Sequence, residues 1–300
     1  MQIVVSVLGI AIMVAAATTI SWYRSVERRG PGPGPRPPAA KPGFVGGRGM
    51  RLFGTIMLVL LALAGPAWAD EPAECRVAEH LVQNPFPLPR ASKALEAKRL
   101  DILVLGGGSS MLPGASGESK AYPSRLQNVL AQKLPNIAIK VTVDTKSRRT
   151  AAEALRIIPQ DLATAKPNLV VWQAGVIDAM QGVDPEAFSA TLNKGVETAH
   201  AAGADVILMN TQYSPRTESM IALSAYLENM HWVALQREVP LFDRFGIMEL
   251  WSELGTFKFF SATNKLDTAE RVHDCIARLL ADLIVEAAKP AAPPVPPKEK

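Results

Sequence analysis

Ile102-Leu-Val-Leu-Gly-Gly-Gly-Ser-Ser110 sets four apolar residues, two of them β-branched, directly against a run of glycines and hydroxyls. Four such residues are too few for a helix but suit a strand buried on both faces, and the glycines end it. Reading outward, similar short runs occur at residues 137–143, 169–172, 206–209 and 239–242. Helical patterns lie between them. The clearest has Asp184 as N-cap, Pro185 in the first turn, Phe188, Leu192, Val196 and Ala199 along one face, and Gly203 as the stop. A last helix is marked by Val272, Ile276, Leu279, Leu280 and Leu283. Strands alternating with helices predict an α/β domain over residues 98–288: a doubly wound, five-stranded parallel sheet with helices on both faces. Ligands of such sheets sit beyond the carboxyl ends of the strands. Functional residues are therefore sought at 106–110, 144–150, 173–178 and 210–215, and ahead of the last helix.

The 300 residues are 48% hydrophobic and 20% charged, enough for one full core. The net charge of +4 resides in the first 69 residues: their seven bases face one acid, Glu27, so the rest carries 25 bases and 27 acids. A near-neutral domain offers phosphate backbones no electrostatic footprint, which argues against nucleic acid as a partner. Residues 1–49 comprise an apolar stretch (1–23), Arg24, Arg28 and Arg29, and a Pro/Gly-rich segment. Residues 50–69 read as a signal peptide: Met50-Arg51, an apolar run over 52–64, and Ala67-Trp68-Ala69 before Asp70. The expectation is export, periplasmic or extracellular, with Asp70 as the mature N-terminus. Membrane contact would come only through the leader, as an anchor if residues 1–23 are translated and kept. Residues 70–97 read as an irregular, proline-punctuated lead-in, and 289–300 as a disordered Pro/Ala tail.

The order of segments resembles the SGNH (GDSL-type) hydrolase family over about residues 85–283. Residues 102–116 followed by Tyr122-Pro-Ser-Arg-Leu126 look like the family's first block. Ser147-Arg148-Arg149-Thr150 falls where the family has Ser-Gly-Asp-Thr, and Val171-Trp-Gln-Ala-Gly-Val-Ile-Asp178 looks like its Gly-x-Asn-Asp strand end. Asn264-Lys-Leu-Asp267 falls where the family places Asp-x-x-His. The resemblance implies an esterase fold in which serine, glycine, asparagine and histidine supply nucleophile, oxyanion donors and base. Carried over by position, these are Gly108, Arg148, Ile177 and Asp267, and the motif's aspartate is Asn264. All four residues are changed. Glycine has no nucleophile, isoleucine has no donor, and an ionised aspartate is no base near neutral pH.

If the chain is active, Ser109, Ser110 and His273 are the substitutes within reach. A different use of the same place is anion binding by Lys146, Arg148 and Arg149. The three functional expectations are thus an envelope binding or scaffold protein without catalysis, with an envelope partner or small ligand; an esterase for small acyl or acetyl-glycan esters with relocated residues; and an anion-binding module. No cofactor motif is read. No metal site is read either, because a helix spreads Asp267, His273, Asp274 and Cys275 around different faces. Cys75 and Cys275 are the only cysteines. In an exported chain they are expected to pair, with two buried thiols as the alternative, and the resemblance also ties the lead-in to the closing helix. Finally, Arg148 and Asp267 are expected to form an ion pair across the emptied site.

Overall fold

The computed structural model describes residues 72–260 and 265–289. The apolar stretch, the Pro/Gly-rich segment, the signal peptide, Asn264 and the tail from Pro290 lie outside the described residues.

The elements in chain order are α1 (Pro89–Glu96), β1 (Arg99–Gly106), α2 (Gly117–Lys120), α3 (Tyr122–Lys133), β2 (Ala138–Thr145), α4 (Ala151–Ala165), β3 (Leu169–Gln173) and α5 (Val176–Met180). There follow α6 (Pro185–Ala201), β4 (Asp205–Met209), α7 (Pro215–Glu218), α8 (Ser224–Arg237), β5 (Leu241–Phe242), α9 (Arg244–Glu253) and α10 (Lys265–Ala287). The five strands are all parallel, in the order β2-β1-β3-β4-β5. This is the doubly wound arrangement expected from the alternation of runs. Pleating divides β1 between two cores: Ile102 and Val104 pack with α1, α3, α9 and α10, whereas Leu103 and Leu105 pack with α4, α6 and α8.

Local signals set several helix ends. Asp184 accepts from the amides of Glu186 and Ala187 at 3.0 and 2.9 Å, and Gly203 takes φ +84° just beyond α6. Thr150 and Glu153 form a capping box on α4. The lead-in departs from the expected irregular segment, because α1 occupies its last third. Its cap comes from afar: the Asp205 carboxylate accepts from the amides of Arg90 and Ala91 at 2.8 and 2.9 Å and pairs with the Arg90 guanidinium at 3.1 Å. No residue near Pro89 in sequence could reveal that cap. β5 is also shorter than the run at 239–242, pairing only at Leu241 and Phe242.

Cys75 and Cys275 form the expected disulfide, joining a 3-10 turn at Ala73–Cys75 to α10 across 200 residues. Among the described residues no helix is long and apolar enough to cross a membrane.

Candidate functional site

In the strand order, the connections from β1 leave toward opposite sides, so a crevice opens between the carboxyl ends of β1 and β3. β1 runs into a 3-10 turn, Gly108–Ser110. A Cβ on Gly106 would lie 2.2 Å from the Ser110 hydroxyl, so only glycine lets the turn fold back on the strand. Buried Ser110 donates to Oε1 of Gln173, the last residue of β3, and its oxygen lies 3.3 Å from the Tyr122 hydroxyl. Nε2 of the same Gln173 donates to the Ser109 hydroxyl at 2.7 Å. One amide therefore holds both serines.

Arg244, at the start of α9, is fully buried. Its Nη1 donates to the Ser109 carbonyl at 3.0 Å, its Nη2 reaches Gln212 Oε1 at 3.5 Å, and its guanidinium carbon stands 5.5 Å from the centre of the Tyr122 ring. Nε has no partner. Burial lowers its pKa to about 10, which leaves it charged at neutral pH, and burial pushes the Tyr122 phenol up. His273 on α10 is 4% exposed, and its Nδ1 accepts from the Tyr122 amide at 2.9 Å. Burial, then the nearby Arg244 and Arg125 charges, lower its pKa to about 3. The ring is thus neutral, its lone pair is taken by the backbone, and its proton sits on Nε2.

Gly108 is exposed in the turn, and a Cβ there would come no closer than 3.4 Å to its nearest contact, the Ser147 hydroxyl, so a side chain would fit. Arg148 is exposed between β2 and α4, with φ +63°, a left-handed conformation that favours the glycine the resemblance puts there. Ile177 lies in α5. Asp178 is buried and accepts from the Ala151 amide at 2.9 Å, fixing the start of α4. Asp267 is exposed in the first turn of α10. The expected ion pair of Arg148 with Asp267 is not formed: both side chains face solvent, where two hydrated charges gain little by meeting. In the basic trio, only Arg149 has an acidic partner among the described residues. Arg149 is held by both Asp144 oxygens, at 2.9 and 2.8 Å, while Lys146 and Arg148 are exposed.

The sequence profile of the non-GDSL lipase-like family matches residues 74–290, most of the chain. The chain belongs to this family. Among individual proteins, it is 31% identical over 120 residues to the esterase TesA of Pseudomonas aeruginosa, covering 40% of this chain and 58% of that one. It is 26% identical over 177 residues to mitochondrial 3′ processome subunit 2 of Trypanosoma brucei brucei, covering 53% of this chain and only 11% of that protein. The chain therefore spans less than two thirds of either relative. The crystal structure of Axe2, an acetylxylan esterase from Geobacillus stearothermophilus, superposes with a TM-score of 0.51 at 18% identity, over 62% of this chain and 94% of that one. That similarity is one of fold.

Family membership explains the position of the crevice but not its contents. Gln173, Ser110 and Gln212 lie within the loops flagged from sequence, yet Tyr122 and Arg244 come from two helices outside them that converge only on folding. Arg244 had one faint signal: with Asp243 it forms a charged pair of residues between Phe242 and the apolar Phe245, Ile247 and Met248. Beside these residues opens a cleft of about 220 Å³, walled by Arg244 and His273, by the loop after β4 (Gln212, Tyr213), and by Lys258 and Lys265.

Proposed function

We propose that this chain is an exported member of the hydrolase family that binds a ligand in the cell envelope without cleaving it. The observation that carries this reading is the hydrogen bonding around the serines. A serine becomes a nucleophile when a base accepts its proton. Here Ser110 donates to an amide oxygen, Ser109 accepts from the same amide, and His273, packed against Tyr122, has its acceptor nitrogen filled by a backbone N–H. The glycine at 108 and the exposed Asp267 support the same conclusion, because neither supplies the group its position would need. The signal-peptide pattern and the disulfide support an oxidising destination.

The test is incubation of the purified protein with a fluorophosphonate probe and with an activated acetyl ester. No labelling and no hydrolysis above that of a Ser109→Ala/Ser110→Ala variant is expected. Labelling of either serine would instead make the chain an esterase with relocated residues, Ser109 or Ser110 with His273.

A further inference from the structure

The cleft beside the serines carries charge of one sign only. Its charged walls are Arg244, Lys258 and Lys265, with no carboxylate in the lining; Glu218 and Glu249, the acids that act on Tyr213, stand outside it. Arg244 is the unusual member. A fully buried guanidinium ordinarily has a carboxylate, because an unpaired charge in a low dielectric costs several kcal/mol. This one has a carbonyl, a long contact to an amide and an aromatic face, and its Nε–H has no acceptor among the described residues. His273 adds a second donor, since the proton on its neutral ring is on Nε2. Lys258 and Lys265 are exposed, and neither takes part in an ion pair among the described residues. The rest of the wall is largely apolar: Tyr213, Met248, Phe259 and Val272.

We propose that this cleft binds a small amphipathic carboxylate, its head drawn in by Arg244, His273 and the two lysines and its apolar body lying on Tyr213, Met248 and Phe259. The space of about 220 Å³ equals that of roughly seven waters, which suits a short-chain or single-ring acid rather than a polymer. The carboxylate brings a counter-charge to the cleft side of the Arg244 guanidinium, which is itself closed to solvent and acts through its field, and the apolar wall lowers the local dielectric. The proposal rests on the reading of the site as one that binds. The two fail separately, because ester turnover would appear in the probe assay, whereas a wrong ligand class would appear only in affinities.

The experiment is calorimetric titration of the mature protein with hexanoate, 1-hexanol, hexylamine and inorganic phosphate. Hexanoate is expected to bind at least about tenfold more tightly than each of the others, and more weakly at 0.5 M than at 0.05 M salt. The exposed double variant Lys258→Glu/Lys265→Glu, which leaves the core untouched, should lose about tenfold or more for hexanoate and little for hexanol. Arg244→Met should lose hexanoate binding if it folds, and the lysine variant keeps the test decisive if it does not. Failure to bind hexanoate, equal affinity for hexanol or phosphate, or an unchanged affinity in the lysine variant would overturn the proposal.

Discussion

His273 illustrates how much a single contact decides. From sequence it is the one candidate base for the serines if the chain is active; in the fold it is a buried acceptor for the Tyr122 amide. That role makes the protein acid-sensitive. The unfolded imidazole takes up a proton near pH 6.5, whereas the folded one resists until about pH 3. The unfolded state therefore binds more protons between these values, and this part of the stability is present above pH 6.5 and lost as the pH falls toward 3. Unfolding free energies from urea titrations should fall by about 2 kcal/mol from pH 7 to pH 5 on this account. His273→Gln keeps an acceptor for the amide but does not titrate, so its profile should be flatter over the same interval. An equal slope in both proteins would place the acid sensitivity elsewhere.

At the scale of elements, the strands were legible because residues buried on both faces must be apolar throughout, and α6 because its cap, face and stop are all local. The helix α1 was not, since its cap is a carboxylate more than a hundred residues away, on β4. How α6 meets the sheet was equally hidden. A Cβ on Gly195 would lie 2.1 Å from the buried Trp172 ring, so the helix approaches β3 only because that residue has no side chain. Gly195→Ala improves intrinsic helix propensity and would be slightly stabilising on an exposed face. Here it should cost about 1–3 kcal/mol through overpacking, measured as a lowered urea midpoint with an unchanged m-value.

For the molecule as a whole, the disulfide connects the first described turn to the last helix. Both sulfurs are buried in the core beneath α9 and α10, so the pair ties down the region that also holds His273. Replacing both cysteines by alanine removes a constraint on a loop of 200 residues and should lower stability by about 5 kcal/mol in the chain-entropy estimate. The double variant should nonetheless give the wild-type far-ultraviolet circular dichroism spectrum at low temperature, because the sheet does not depend on the bridge. A stability unchanged to within 1 kcal/mol would mean that the unfolded chain is held compact by other contacts.

By itself, the sequence determined the parallel sheet and the ends of its strands where a ligand would lie, and it led to the expectation that its two cysteines pair. Each of these follows from local pattern, from family resemblance or from elimination. By resemblance it also places Gly108, Ile177 and Asp267 where an esterase has its serine, asparagine and histidine. Only the tertiary structure decided what fills the crevice: that Gln173 takes both serine hydroxyls, that Tyr122 turns His273 into an acceptor, that Arg148 and Asp267 remain apart in solvent, and that Arg244 is buried without a carboxylate. The physical reason is the short range of hydrogen bonds and desolvation. Their partners come from segments far apart in the chain, and their energies exist only once those segments have met.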